Sequence, residues 1–211
     1  MSQASNFGWR ELLTEWSQEL LNSPKYLETL TYHISDYGHN IDDLATLKSS
    51  GWLGYPGATE EQIKRAENRL GIRLPTSYRE FLKVSNGWRT LTDAIYKLWS
   101  VEEADWFAAK NQAWIDAYNP DSNDPIPISD EEYFIYGKGQ SAINIRTQYL
   151  QTALELSEDI NGEIYLLNPK IVTADGEWEA WFFANWLPGA RRYRSFWELM
   201  QAQHESFIST L

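Results

Sequence analysis

The opening of the chain has the apolar spacing of an amphipathic helix. In residues 7–22 (FGWRELLTEWSQELLN) the tryptophans and leucines recur every three or four positions, so they share one helical face. Ser23 and Pro24 end this helix, because proline breaks the backbone hydrogen-bond ladder. The pattern predicts two further helices, one from Lys25 to about Ile34 and one near Ile41 to Lys48.

Residues 57–71 carry both a helix start signal and a helix stop signal. Thr59 and Gln62 have the spacing of a capping box, in which each side chain bonds the backbone N–H of the other residue. An apolar stripe follows, and Gly71 stands where a left-handed residue ends a helix. We therefore expect one complete helix here.

The segment LPTSYREFLKVSNGW (74–88) predicts a second helix, only a few residues after the first. Pro75 suits a first turn, where its missing N–H costs no hydrogen bond, and Asn86-Gly87 ends the helix. The polar residues are dense enough to suggest an active site, but their spacing predicts solvated positions between buried ones. The positions expected to be buried are Leu74, Tyr78, Phe81 and Leu82. Those expected to be solvated are Arg79, Glu80 and Lys83.

Alternation of apolar and polar residues with a period of two predicts β-strands in the second half of the chain. The segments are EYFIYG (132–137), TALELS (152–157), GEIYLLN (162–168) and EWEAWFFANW (177–186). The last is apolar on both faces at its centre, so we expect an interior strand covered on both sides. Turn signals lie at 159–162, which contains Asn-Gly, and at Asp175-Gly176.

Helical spacing occurs again ahead of these strands and after them. A helix is predicted between Val101 and Tyr118, a loop at 119–132, and a closing helix at 191–208. Helices, then an antiparallel meander, then a final helix are typical of an α+β fold. We predict a single domain over 1–211, with an antiparallel sheet flanked by several helices and residues 1–50 as a helical N-terminal extension.

Charge divides the chain into a basic and an acidic part. The formal net charge is −12, yet residues 59–89 carry seven Lys or Arg against four Asp or Glu. Residues 90–190 carry five against seventeen. Such an acidic chain repels nucleic acid, so direct DNA or RNA binding is disfavoured. The acidic half serves either solubility or a partner with a basic surface, since a clustered field raises association rates.

Several kinds of chemistry are excluded by what the sequence lacks. With no cysteine there is no disulfide, no thiolate nucleophile and no cysteine-based metal site. The chain has neither a signal peptide nor a run of 18 apolar residues, so we expect a cytoplasmic protein that does not enter membranes.

Candidate metal and nucleotide sites fail on spacing. His33, His39 and His204 have no second ligand at HxxxH spacing, and the DSND segment (121–124) lacks an EF-hand frame. GKGQSA (137–142) matches G-x-G-x-x-A, but strand-like INIRTQY follows instead of the helix that a dinucleotide site needs. We interpret it as a glycine-rich turn, and we expect no metal, no cofactor and no catalytic residue.

Paired carboxylates among many aromatic residues leave one enzymatic alternative open. Two carboxyl groups suffice for glycoside hydrolysis, and the chain has eleven tryptophans and twelve tyrosines that could stack on sugars. Tryptophan at core spacing is, however, more often part of the packing. The carboxylates concerned are Glu102 and Glu103, Glu131 and Glu132, and Glu177 and Glu179. A carbohydrate-binding or glycosidase-like protein is therefore kept as an alternative.

The segment GATEEQIKRAENRLGIRLPTSYREFLKVSNGW (57–88) resembles the signature of the SUKH superfamily, the group around the fungal Smi/Knr-type cell-wall assembly regulators. YLLNP (165–169) and RRYRSFWELM (191–200) look like the family's late strand and closing helix, so the resemblance covers about residues 50 to 201. The matching positions are Ala58, Thr59, Glu60, Glu61, Ile63, Glu67, Leu70, Gly71, Leu74, Pro75, Tyr78, Phe81, Leu82, Asn86 and Gly87.

This resemblance implies an α+β fold and no enzymatic activity. Bacterial members of the superfamily are regarded as immunity proteins that bind and neutralise toxins, often nucleases, and fungal relatives act in cell-wall synthesis signalling. The resemblance thus implies a cognate toxin, encoded by a neighbouring gene, as the partner. A regulatory or scaffold role in cell-wall signalling is the alternative. A basic nuclease fits the acidic half of the chain.

We predict that the partner meets solvent-facing acids near turns and loops of the second half. Exposed tyrosine or tryptophan among these acids would serve as anchors, since interfaces favour both residues. The predicted acids are Asp130, Glu131, Glu132, Glu158, Asp159, Asp175 and Glu177. The predicted aromatic anchors are Tyr133 and Trp178.

Overall fold

The computed structural model describes residues 7–28, 42–89, 97–118, 128–158 and 162–209. Some sequence predictions fall outside these ranges: His33, His39, Asp159, the DSND segment and most of the turn at 159–162. The helix predicted from Lys25 is helical over 24–28, and the rest of it also falls outside. None of the helices in the described ranges combines the length and the apolar character that a bilayer crossing requires.

The helices ahead of the sheet form where the apolar spacing predicts them. Helix α1 spans Trp9–Asn22, α2 Asp42–Ser50, α3 Glu60–Leu70 and α4 Thr76–Val84. Helix α1 buries the side chains at its helical spacing, among them Trp9, Leu13, Trp16 and Leu20. These side chains form one face of the helix, as the amphipathic pattern requires.

The structure confirms the start and stop signals that the sequence carries for α3. The Thr59 hydroxyl accepts from the Gln62 backbone N–H at 3.2 Å, and the Gln62 side chain accepts from the Thr59 N–H at 2.9 Å. Gly71 ends the helix in the left-handed region, with φ of 71°. The two bonds satisfy backbone donors that the first turn otherwise leaves unpaired.

The strands form two antiparallel sheets. Strand β1 (Trp88–Arg89) pairs with β2 (Lys97–Leu98), and five further strands pair in the order in which they occur in the sequence. They are β3 (Asp105–Trp106), β4 (Leu154–Glu155), β5 (Glu163–Val172), β6 (Trp178–Ala184) and β7 (Ala190–Tyr193). Helices α5 (Gln112–Tyr118) and α6 (Asp130–Tyr133) lie between β3 and β4 in the chain, and α7 (Phe196–Ile208) follows β7. The fold is α+β, as predicted.

The structure differs from the predicted elements in several segments. The closing helix predicted at 191–208 begins only at Phe196, because the residues up to Tyr193 pair with β6 as strand β7. EYFIYG (132–137) is the end of α6 and irregular chain, not a strand, because Tyr133 and Tyr136 turn towards a distant carboxylate. The helix predicted between Val101 and Tyr118 is interrupted by β3 and a 3-10 turn, so only α5 is α-helical there. The strand predicted at 152–157 shortens to β4.

Apolar side chains cover both faces of the five-stranded sheet. Helices α1, α4 and α7 contact one another and share with one face a core cluster that includes Trp9, Phe81 and Phe196. The other face carries a cluster that includes Phe107 and Trp181, together with α5 and two 3-10 segments. Every residue of β6 is buried, which confirms the prediction of an interior strand.

The outer edge of β7 is covered by residues 140–142. The Ala190 N–H donates to the Ala142 carbonyl at 2.9 Å. The Gln140 side-chain amide substitutes for a paired strand: its Oε1 accepts from the Arg192 N–H at 2.6 Å, and its Nε2 donates to the Arg192 carbonyl at 3.2 Å. Gly189 permits this close approach, since a Cβ there would lie 2.1 Å from the Ala142 carbonyl oxygen.

Candidate partner-binding surface

The structure brings three of the predicted acids together and leaves the others that it describes apart, while Asp159 lies outside the described residues. The exposed acids of α6 are Asp130, Glu131 and Glu132. The Ser129 hydroxyl accepts from the Glu132 backbone N–H at 3.2 Å and so caps this short helix. Asp175 is exposed in the turn between β5 and β6, and Glu158 is half-buried after β4.

Glu177 is buried, which corrects the prediction that it faces solvent. It lies immediately before β6 and is 4% exposed. Its carboxylate accepts from the Ser77 backbone N–H at 2.8 Å and from the Ser77 hydroxyl in a short hydrogen bond. Burial raises the pKa of this carboxyl, and the hydrogen bonds from Ser77 oppose the rise. Glu177 therefore joins the sheet to the first turn of α4 and is not available to a partner.

Tyr133 and Trp178 are also buried, so the prediction that they are exposed anchors is wrong. Trp178 belongs to the cluster that the sheet shares with α1, α4 and α7. The Tyr133 hydroxyl bonds a buried carboxylate instead of facing a partner. An aromatic side chain with a polar end is readily buried when that end finds a hydrogen-bond partner.

That carboxylate belongs to Glu179 of β6, which is 1% exposed. Its two oxygens accept from four neutral donors: the Tyr133 hydroxyl (2.6 Å), the Tyr136 hydroxyl (2.9 Å), the Asn168 amide (3.0 Å) and the Trp181 indole (2.6 Å). Nη1 of Arg192, on the neighbouring strand β7, lies 3.5 Å from the same carboxylate. Burial and the charge of Glu179 raise the pKa of both tyrosines, so their hydroxyls remain protonated and donate.

Arg192 connects this carboxylate to the chain that follows α6. Its guanidinium donates to the Tyr133 carbonyl in a short hydrogen bond and to the Ile135 carbonyl at 3.4 Å. It also lies 4.2 Å from the centre of the Tyr133 ring, which adds a cation–π contact. Residues 133–136 are thus bonded to the sheet through two tyrosine hydroxyls and two carbonyls.

Between these bonded residues, Phe134 and Ile135 are each 43% exposed. Arg146 lies beside them: it pairs with Asp130, and its guanidinium is 5.7 Å from the Phe134 ring centre. We call Asp130, Glu131, Glu132, Phe134 and Ile135 the turn surface. Adjacent exposed apolar side chains with a charged rim have the composition of a protein interface.

Trp186 is an exposed aromatic residue that the sequence patterns did not single out. It lies in the turn after β6 and is 55% exposed. Its indole N–H donates to Glu163 at 2.6 Å, while burial raises the pKa of that carboxyl. The alternation pattern included Trp186 in a strand. The turn formers around it, Asn185, Pro188 and Gly189, are the signal that indicates an exposed position.

The signature residues of 57–88 position elements of the fold. Leu74, Tyr78, Phe81 and Leu82 are buried, as predicted. The Asn86 Oδ1 accepts from the Val101 N–H at 2.8 Å, and its amide donates to Glu102 at 2.9 Å. Gly87 has φ of 94°, and a Cβ there would lie 2.8 Å from the Leu98 carbonyl oxygen. Asn86 and Gly87 therefore fix the loop between β2 and β3.

Arg79 corrects the prediction of a fully solvated polar face on α4. It is 8% exposed, and its guanidinium pairs with Glu60 and, at 2.5 Å, with Glu67. These pairs join α4 to α3. The other two polar positions remain in contact with solvent, where Lys83 and Glu80 pair at 2.8 Å.

The described part of the chain contains no cluster of side chains suited to a metal ion. No three or more His, Cys, Asp or Glu side chains there are placed to hold a metal ion. The clefts are lined largely by charged and polar side chains, such as the one between Gln62, Asn86, Lys97 and Glu103. Two of those residues already bond the loop after β2, since Asn86 holds Glu102 and Lys97 pairs with Glu103 at 2.5 Å.

Comparison with protein-family models shows that the SMI1/KNR4 family (SUKH-1) matches residues 57–202. This span includes α3, α4, the five-stranded sheet, the turn surface and the first half of α7. It leaves α1 and α2 outside. A comparison with curated proteins gives no match.

Proposed function

The chain belongs to the SMI1/KNR4 family (SUKH-1), and from this premise we propose that it is a protein-binding module without catalytic activity. The observation that carries the proposal is the extent of the family match, which includes both the signature helices and the acidic half. The turn surface supports it, because exposed apolar residues with a charged rim suit contact with another protein.

The buried carboxylates support a role without catalysis. Glu177 bonds Ser77 of the helix layer, whereas Glu179 bonds Trp181 and Tyr133 on the other side of the sheet. Glycoside hydrolysis requires two carboxyl groups that flank one bond. Glu177 and Glu179 contact different layers, so they do not form such a pair. Both carboxylates also accept hydrogen bonds from residues that hold the fold together.

More narrowly, we propose an immunity protein that binds and neutralises a cognate toxin domain with a basic surface, such as a nuclease. This is the role of the bacterial proteins whose signature the chain resembles. A nuclease needs cationic groups to approach phosphates. The net charge of −12, concentrated in residues 90–190, suits a protein that covers such a surface in place of nucleic acid.

The toxin domain encoded by the neighbouring gene can be used to test the immunity role. Expression of the toxin domain encoded there should arrest growth, and coexpression with this chain should restore it. The purified chain should also bind an inactive variant of the same toxin domain. An unrelated protein of similar size and net charge is the control, since it should neither bind nor protect. A chain that leaves the toxin unbound and active contradicts the immunity role.

Other results would favour the alternatives. A pull-down that recovers envelope-synthesis proteins instead of a toxin would support the regulatory or scaffold role. A saturable change in tryptophan fluorescence on titration with one glycan of a broad panel would support carbohydrate binding. Trp186 is the exposed reporter for that titration, because it is 55% accessible to solvent.

A further inference from the structure

We propose that the turn surface is the partner contact, with Phe134 and Ile135 inserted into an apolar recess of a cationic protein surface and the acids of α6 facing its positive charges. The identity of that protein as a toxin domain rests on the proposed function. The location of the contact and the chemistry of its partner do not, since they follow from the geometry of residues 130–140.

Phe134 and Ile135 are exposed although the residues on either side of them in the chain are buried or half-buried. Tyr133, immediately before them, is fully buried, and Tyr136, immediately after, is half-buried with its hydroxyl on Glu179. The chain thus turns both tyrosines inwards and leaves two large apolar side chains in water. The exposed part of each side chain is apolar surface in contact with water, and a partner that covers this surface gains free energy from its burial.

Hydrogen bonds to buried side chains fix the backbone on either side of this dipeptide. The Arg192 guanidinium bonds the carbonyls of Tyr133 and Ile135, and Glu179 accepts both tyrosine hydroxyls. Ordering an interface residue opposes binding, so a contact that is already ordered in the free protein binds more tightly. The buried pair of Glu179 and Arg192 therefore has a second effect beyond stability, since it fixes the exposed dipeptide in one conformation.

The glycine-rich turn GKGQ (137–140) supports the same dipeptide from its C-terminal side. A Cβ on Gly139 would lie 3.2 Å from the Ile135 Cγ2, so glycine allows the turn to close against Ile135. Gln140 then bonds the backbone of Arg192 through both ends of its amide. The motif that resembles a dinucleotide fingerprint thus packs against the exposed residues and binds the arginine that holds them.

Charge indicates the kind of partner. Residues 128–140 contain three carboxylates and one cation, Lys138. Asp130 is paired with Arg146, but Glu131 and Glu132 are exposed and have no basic partner among the described residues. Two carboxylates without a basic partner beside an apolar pair fit a surface that carries Lys or Arg around a recess, because complementary charge aligns the partners as they approach.

Trp186 is an alternative exposed aromatic contact, and it supplies the matched control. It follows the C-terminal end of β6, whereas Glu179 and the turn surface lie near the N-terminal end of that strand. The strand runs roughly 17 Å between the two positions, so they lie at opposite ends of β6. Both sites expose large side chains, and a substitution at either leaves the core intact.

Photo-crosslinking in the cell that carries the gene tests the location directly. Benzoylphenylalanine would replace Phe134 in one variant and Trp186 in another, and the crosslinked proteins would be identified by mass spectrometry. We expect a crosslink from position 134 to a protein with a basic surface, and none from position 186. Crosslinks from position 186 alone, or from neither position, overturn the proposed contact.

The same experiment separates this inference from the proposed function. A toxin domain crosslinked at position 134 supports both. A basic protein that is not a toxin, crosslinked at position 134, supports the contact and contradicts the immunity role. An acidic or uncharged protein at that position contradicts the charge argument and therefore the proposal.

Binding measurements with the crosslinked protein test the energetics. Phe134→Ala and Ile135→Ala should each raise the Kd about 10-fold or more, chiefly through faster dissociation. Trp186→Ala should change it less than about 2-fold. Equal losses in all three variants, or a loss in Trp186→Ala alone, would contradict the assignment. Circular dichroism and the Tm of each variant should stay close to those of the wild type, because none of the three side chains belongs to either core cluster.

Discussion

Phe81 shows how much one signature residue contributes to stability. Its ring is fully buried and lies 5.2 to 5.3 Å from the ring centres of Phe196 and Trp9, so α4 meets both terminal helices through this side chain. Its truncation leaves a cavity that the neighbouring rings cannot fill. We expect Phe81→Ala to lower the free energy of unfolding by about 3–5 kcal/mol.

Chemical denaturation of Phe81→Ala, with Thr76→Ala as the control, measures this loss. Thr76 is exposed on the same helix, so its truncation should change the free energy by less than about 0.5 kcal/mol. An unchanged midpoint for Phe81→Ala, together with lost partner binding, would mean that the signature helix is itself the contact.

For Glu177 we predict an effect of pH on stability, because its carboxyl titrates. Burial raises its folded pKa above the usual value of 4.5, so the folded state binds the proton more tightly than the unfolded state does. This contribution to stability is present at low pH and is lost as the pH rises through the folded pKa. Glu177→Gln cannot titrate, so the wild type should gain stability relative to the variant as the pH falls from 7 to 5.

Urea unfolding of both proteins at several pH values gives this difference. Other carboxyls, such as Glu60 and Glu103, have lowered pKa values and cancel in the comparison. Glu131→Gln is the matched control, since it makes the same substitution at an exposed side chain. A Glu177→Gln difference that is constant, or that grows in the opposite direction, would contradict the buried carboxyl's role.

At the scale of elements, the pair of Glu179 and Arg192 joins β6 and β7 to the turn surface. Both side chains are almost fully buried, so removing one leaves the other as an uncompensated charge. We expect Glu179→Gln or Arg192→Met to lower the free energy of unfolding by about 3–5 kcal/mol each. The double variant should lose less than the sum, because neither charge then remains unpaired.

Equilibrium unfolding of the two single variants and the double variant completes the cycle. The exposed pair of Arg194 and Glu198, 3.7 Å apart, provides the comparison, and its coupling should be below about 0.5 kcal/mol. Additive losses at Glu179 and Arg192 would show that they act separately. Hydrogen exchange at 134–137 should rise in Arg192→Met if its guanidinium orders that segment.

For the molecule as a whole, the arrangement of charge should govern how fast a partner arrives. The signature helix α3 exposes the cations Lys64 and Arg65 alongside acids, whereas α6 exposes only acids. A basic partner is therefore drawn to the α6 side. Raising the salt from about 50 to 500 mM should slow association about 10-fold or more and leave dissociation nearly unchanged.

Stopped-flow mixing with the inactive toxin domain gives both rates. Glu131→Gln with Glu132→Gln should slow association several-fold at low salt, whereas Lys64→Gln with Arg65→Gln should not slow it. Association that does not depend on salt would argue against docking guided by charge, although the apolar contact could still form.

Local signals in the sequence were sufficient for the signature helices. Thr59, Gln62 and Gly71 act within one helix, so their spacing alone predicted the caps that form. The turn surface depends on contacts between distant segments. Tyr133 is buried because Glu179, 46 residues later, accepts its hydroxyl, and alternation in EYFIYG could not reveal this partner. The same limit applies to Arg79, whose burial depends on Glu60 and Glu67 of another helix.

The Gln140 amide has a consequence for behaviour in a crowded solution. Proteins with an open strand edge can stack edge to edge and seed ordered aggregates as their concentration rises. At β7 the groups that would template such growth, the Arg192 N–H and carbonyl, are already bonded within the molecule. That side of the sheet therefore offers no template for a second copy, and the negative charge of the chain acts against self-association as well.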